Sequence, residues 1–134
     1  MLGGKRRPPQ KADKIVDHHL CVVKNVVAKH PGHPLVLTGK SVGSRVNCMI
    51  ASSDGVNVSA VICLGYPSKS TSLVPRDHVA IASRAPWMCS QGNKDGLCPL
   101  DKLELTRKKM TCQNELHVVD GGDHSFKISQ RYQK

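Results

Sequence analysis

Aromatic residues are scarce in this chain of 134 residues: Trp87, Tyr66, Tyr132 and Phe126 make up 3% of it. A core must therefore be assembled mainly from Val, Leu, Ile, Met and Cys, which favours an aliphatic α/β interior. No stretch approaches the ~20 consecutive apolar residues that a membrane helix needs, so no membrane partner is expected. The basic start, Met1 to Gln10, has no apolar run behind it and lacks the h-region of a secretory signal. Both absences lead to the expectation of a soluble, intracellular protein of the cytoplasm. The six cysteines (Cys21, Cys48, Cys63, Cys89, Cys98, Cys112) contain no CxxC pair, which disfavours a zinc knuckle or ribbon. Without a secretory context they do not read as three disulfides either. Several lie inside apolar runs, as Cys63 does in Val61-Ile62-Cys63-Leu64, where a free thiol behaves as a small buried hydrophobe. No metal and no cofactor are expected.

Acidic residues are also few, 10 against 20 Lys and Arg, for a formal net charge of +10. Such an excess raises the question of a nucleic-acid partner. It is spread along the chain, however: five basic residues against one acidic in residues 1–14, eight against four in 15–100, and seven against five in 101–134. No basic face dominates, and nucleic acid is disfavoured as a partner. The densest cluster, Lys5-Arg6-Arg7, falls in a stretch of Gly, Pro and basic residues over 1–11 that reads as a flexible arm. A nuclear-localisation role for that arm is the lesser alternative to the cytoplasm.

What is present is a regular alternation. Apolar positions at Ile15, Val16, Leu20, Val22, Val23, Val26 and Val27 form the stripe of an amphipathic helix from Ala12 to about His30-Pro31-Gly32. The almost wholly apolar run Pro34 to Thr38 reads as a parallel strand buried on both faces, and Val42 to Ser53 as a second helix. Val58 to Leu64 is a second strand, followed by a polar loop from Gly65 to Arg84 with room for a short helix. Trp87 to Ser90 is a third strand, Leu100 to Met110 a helix, Glu115 to Val119 a fourth strand and Ser125 to Tyr132 a final short helix. Alternating elements of this kind imply an α/β class with a mostly parallel sheet of about four strands and helices on both faces. The series opens on a helix with no strand before it, so residues 12–134 read as the C-terminal part of a larger domain.

Gly39-Lys40-Ser41-Val42-Gly43 fits G-x-S-x-G, a nucleophile elbow in which a serine sits on a tight turn between a strand and a helix. It also fits the G-K-[ST] ending of a phosphate-binding loop. That loop needs a glycine five residues before Gly39: Pro34 stands there, and Leu35 to Thr38 are strand. The elbow is therefore favoured, with Gly39 and Gly43 as its small positions and Ser41 as the candidate nucleophile. Beyond the third strand, Gln91-Gly92-Asn93-Lys94-Asp95-Gly96 places a carboxylate in a glycine-flanked loop. Beyond the fourth, Gly121-Gly122-Asp123-His124-Ser125 places an imidazole at the same end of the sheet. Ser41, Asp95 and His124 thus follow the order Ser, Asp, His at strand ends where open α/β sheets collect active groups. In such a set His124 takes the serine proton while Asp95 fixes the imidazole tautomer. Asp123 and Asp77 remain as alternative acids, and Lys40 reads as solvated.

Several segments together resemble a known family: GHPLVLTGKSVGSR (Gly32 to Arg45), VSAVICLGYP (Val58 to Pro67), QGNKDGLCPLDKLE (Gln91 to Glu104), RKKM (Arg107 to Met110) and NELHVVDGGDHSFKI (Asn114 to Ile128). They are similar to the α/β-hydrolase-like family of the testis-expressed and NSL-complex subunit proteins, in a plant-like form related to dienelactone hydrolases. The resemblance implies a partial α/β-hydrolase fold, N-terminally truncated, with Ser41 as nucleophile, Asp95 as acid and His124 as base. It also implies Arg76-Asp77 as a shared structural pair and half of an oxyanion hole in a segment that this chain replaces by Met1-Leu2, which leaves the Val42 backbone N–H as donor. Two functions follow as expectations: a serine hydrolase of the esterase or thioesterase type acting on a small ester or thioester, or a catalytically impaired module that binds a protein partner.

Overall fold

The structure is a computed structural model that describes residues 12–67 and 83–130. The expected basic arm, Asp77 with its neighbour Arg76, and nearly all of the loop between Gly65 and Arg84 lie outside the described residues. Helix α1 (Ala12–Lys29) forms where the apolar stripe predicts it and gives way to a turn at Gly32, whose φ of 80° continues no helix. Then follow β1 (Val36–Lys40), α2 (Val42–Ala51), β2 (Ala60–Leu64), β3 (Trp87–Gly92), α3 (Leu100–Lys109) and β4 (Asn114–Val119). Helix α3 opens after Pro99 with Asp101 in its first turn and closes on Arg107, Lys108 and Lys109, charges that suit the two ends of the helix dipole.

The four strands are all parallel and lie in the order β1-β2-β3-β4. Their registers align Leu37 with Val61, Val61 with Trp87 and Cys63 with Cys89. Because side chains alternate along a strand, these residues share one face. On that face they meet Cys48 and Ala51 of α2, Leu103 of α3, and Tyr66 and Cys98 from the loops, while Val16 of α1 packs against Leu37, Val46 and Ile50. Complete burial of a Val or Leu side chain such as Val61 or Leu103 is worth about 1.5–3 kcal/mol.

Along a strand order without reversal, joined by crossovers of one hand, the described helices α1, α2 and α3 pack on this face. Three sequence expectations change. The opposite face carries the exposed Val36 and Met88, so β1 is a strand buried on one side. Strand β1 also lies two residues later than expected, because its pairing runs on through Gly39 with Cys63 and Lys40 with Leu64. Finally, Ser125 onward forms no α-helix over 125–130. Gly122 bridges Ile128 antiparallel and Phe126 takes φ 62°. The N–H groups that a helix would use are drawn back instead, since Asp123 Oδ1 accepts from Ser125 N at 2.9 Å and Lys127 N at 2.8 Å.

Candidate active site

Strand β1 delivers its chain to Ser41 with no intervening loop, and α2 begins at the next residue. Ser41 is held at φ 54° and ψ −119°, a conformation costly for a residue with a side chain, while its N–H donates to Leu64 O at 3.0 Å. The turn closes on Gly39, where a Cβ would lie 2.5 Å from the backbone of Gly43 and 2.6 Å from Asn47 Nδ2. At Gly43 a Cβ would meet no described atom within 4 Å, so the close approach requires glycine at Gly39, with Gly43 as the surface approached. Ser44, fully buried, fastens the turn by donating its hydroxyl to Gly39 O at 2.8 Å. Val42 is the first residue of α2, where backbone N–H groups have no acceptor within the helix. No room is left here for the phosphate-binding loop considered above, and Lys40 is exposed.

His124 Nε2 lies 2.8 Å from Ser41 Oγ, and its Nδ1 lies 2.7 Å from Asp95 Oδ2. Asp95 is nearly buried, and its other oxygen, Oδ1, accepts from Leu97 N at 2.8 Å. Gln91 Nε2 also donates to Oδ2, at 2.7 Å. An oxygen surrounded by donors leaves Nδ1–H as the donor from the imidazole, so Nε2 presents its lone pair and Ser41 O–H donates to it. The ring is flanked by Gly65 at φ 70°, where a Cβ would stand 3.3 Å from His124 O and 3.5 Å from the ring. Ser41, Asp95 and His124 are thus brought within hydrogen-bonding distance of one another in a chain. Asp123 is occupied by its own turn, and Asp120 accepts from Asn93 Nδ2 at 2.8 Å.

The loops that bear Asp95 and His124 are fastened together. Asn93 Oδ1 accepts from Gly121 N at 2.8 Å, and Lys94 N donates to Gly122 O at 2.9 Å. A Cβ on Gly92 would fall 2.1 Å from Gly122 O, so the two strands' extensions touch only because that position is bare. Sequence reading missed Gln91, Asn93 and Gly65 as parts of the site. The signal for Gln91 was available: an amide in the otherwise apolar third strand needs buried partners.

Beneath the site lie four buried thiols outside any disulfide, Cys48, Cys63, Cys89 and Cys98, with Cys48 and Cys63 sulfurs 3.9 Å apart. The Cys48 thiol beside it and burial together hold the Cys63 thiol well above its ordinary range, and burial pushes Cys89 up to about 12. Cys63 and Cys89 thus stay protonated as packing groups of the core, whereas the hydrogen bond with Cys63 lowers the Cys48 thiol. A depression of about 580 Å³, lined by Ser53, Asp54, Asn57 and Arg84 among others, opens at the amino ends of β2 and β3, away from Ser41. Among the described residues no group of three His, Cys, Asp or Glu side chains is placed to hold a metal, and no helix is long and apolar enough to cross a membrane.

A family model described as an alpha/beta hydrolase domain matches residues 1–134. Among solved structures, the chain is similar to an α/β serine hydrolase homologue from Coxiella burnetii, with a TM-score of 0.72 and 19% identity over 92% of this chain and 57% of that one. It is similar to a candidate dienelactone hydrolase from Klebsiella pneumoniae, with a TM-score of 0.70 and 22% identity over 90% of this chain and 55% of the other. A serine hydrolase without a lid from Xanthomonas campestris gives 0.67 and 20% identity over 92% and 54%. The chain therefore spans just over half the length of these structures.

Proposed function

The chain belongs to the alpha/beta hydrolase domain family, and from that premise we propose that it is, or forms the catalytic end of, a serine hydrolase of the esterase or thioesterase type. The observation that carries the reading is the unbroken chain from Ser41 Oγ through His124 to Asp95, at 2.8 and 2.7 Å. Ser41 Oγ attacks the carbonyl carbon of an ester or thioester as its proton passes to His124 Nε2. Asp95 keeps Nδ1 protonated beforehand and stabilises the imidazolium that forms. The oxyanion of the tetrahedral intermediate is met by the Val42 N–H at the start of α2. His124 then hands its proton to the leaving alcohol or thiol; in the second half it draws a proton from water that attacks the acyl-serine, and returns it to Ser41 Oγ as the acyl–oxygen bond breaks and the carboxylic acid leaves.

Hydrolase structures of similar fold support a small-molecule substrate. The finer reading, membership of the branch that contains testis-expressed and NSL-complex subunits, rests on the sequence motifs quoted above, and a cytoplasmic location is proposed alongside it. Residues 12–134 are proposed to be the C-terminal part of the hydrolase domain. A second reading, a module that binds a protein partner, is favoured by the open sheet face with Val36 and Met88 48% and 40% exposed.

The deciding experiment is active-site labelling with a fluorophosphonate probe, with hydrolysis of a short-chain thioester followed in parallel. Labelling of wild type, loss of it in Ser41→Ala, and a fall in turnover of about 10³-fold or more in Ser41→Ala and His124→Ala are expected. Equal labelling of wild type and Ser41→Ala would remove the hydrolase reading and leave the binding module.

A further inference from the structure

Gln91 is the penultimate residue of β3 and is fully buried, and its amide is engaged at both ends. Its Nε2 donates to Asp95 Oδ2 at 2.7 Å and to Cys98 O at 3.3 Å. Its Oε1 accepts from Tyr66 N at 2.9 Å and lies 3.4 Å from Cys89 Sγ. The orientation of the amide is fixed by these neighbours: the Tyr66 N–H can only donate and the Cys98 carbonyl can only accept, so a flipped amide would oppose like groups on both sides.

Asp95 Oδ2 is also the oxygen that meets His124 Nδ1. It sits between an amide donor and an imidazole donor, each 2.7 Å away. The Leu97 N–H alone holds the carboxylate only by Oδ1 and leaves it free to turn about that bond. A second donor on Oδ2 stops the rotation. The donor is neutral, which matters: Lys or Arg here would form an ion pair with Asp95 and compete with the imidazolium for the negative charge. An amide orients the carboxylate while leaving its charge for His124.

On the serine-hydrolase reading proposed above, we infer that Gln91 is a positioning residue that locks Asp95 in the rotamer His124 requires. It does so by tying the acid to the Tyr66 backbone at the end of β2, the strand beside the nucleophile turn. The acid's aim is thus referenced to the same strand whose Leu64 carbonyl receives the Ser41 N–H.

The test is Gln91→Met, which keeps the length of the side chain and removes its donors. Turnover per fluorophosphonate-labelled site is expected to fall about 10- to 100-fold with KM nearly unchanged. A purely structural role would lower the number of labelled sites and leave turnover per site intact, and that result overturns the inference. A second readout needs no turnover. In the proton spectrum of wild type, the Nδ1 proton of His124 is expected far downfield, as it is while held on a carboxylate, and it is expected to vanish or broaden in Gln91→Met. Its persistence overturns the inference even if Ser41 proves unreactive, whereas failure of wild type to label at all speaks against the hydrolase reading alone. Should the variant not fold, wild type still decides: the Gln91 side-chain amide protons and the His124 Nδ1 proton, both aimed at Asp95 Oδ2, should show a nuclear Overhauser contact, and its absence overturns the role.

Discussion

At the serine, a few consecutive residues make the geometry by themselves: β1 runs into Ser41, Gly39 clears the way for Gly43, and Ser44 fastens the turn. At Asp95 and His124, the geometry belongs to two loops whose hydrogen-bonded side chains are 29 positions apart, joined by Asn93, by Lys94 and by the bare contact of Gly92 with Gly122. The first region is rigid through local sterics, the second through bonds between segments. A local turn has nowhere to relax, while two loops can part. The same chemical insult should therefore cost stability in the first region and alignment in the second.

The largest effect is expected for Gly39→Ala. The added methyl would stand 2.5 Å from backbone atoms of the same turn, which neither a rotamer change nor a side-chain shift can clear. A loss of about 3 kcal/mol or more in denaturant melts is expected, together with loss of Ser41 labelling. Gly92→Ala sharpens the contrast. Its methyl would collide with Gly122 O, but the His124 loop can move away, so a smaller loss of about 1–3 kcal/mol is expected. Turnover should still fall about 100-fold as Nε2 leaves Ser41, with the serine turn itself intact. Thermal melts and ester hydrolysis measured on the two variants side by side check this. If Gly92→Ala proves the more destabilising of the two, the division between local and bridged regions fails.

Asn93→Ala is milder. It removes the acceptor of the Gly121 N–H and the donor to Asp120 but leaves the Lys94 to Gly122 bond in place. A loss of about 1 kcal/mol and a turnover reduced only several-fold are expected, with KM unchanged. Steady-state kinetics on the purified variant are enough to read it.

This division also explains what the sequence made legible. Strand, glycine, serine and helix stand next to one another in Leu37 to Val46, so the turn could be read from a short motif. The order of Ser41, Asp95 and His124 was likewise visible, because each follows a strand signal at the same end of the sheet. The braces were not. Gln91 owes its place to Tyr66, Asp95 and Cys98, partners up to 25 positions away, and no spacing rule announces such a set. The missing helix after Ser125 has a similar cause, since a helical pattern was outbid by Asp123 Oδ1 holding two N–H groups in a turn.

The smallest effect at neutral pH is expected beneath the bridged region. Cys89 lies under the acid loop with Sγ 3.4 Å from Gln91 Oε1, and burial moves its thiol from an ordinary 9.0 to about 12. The folded state therefore keeps its proton at pH values where the unfolded chain has given it up. Stability from this source is complete below about pH 9 and is lost as pH rises towards about 12, at no more than about 1.4 kcal/mol per pH unit. Cys89→Ala carries no thiol to titrate. It should start slightly less stable than wild type at pH 7, because a small cavity replaces the sulfur, and lose less stability on alkaline titration. Urea melts of both proteins at pH 7 and at pH about 10.5 measure the difference. The gap should narrow at the higher pH, and if it does not, Cys89 is no contributor to the alkaline stability of the floor that supports Asp95.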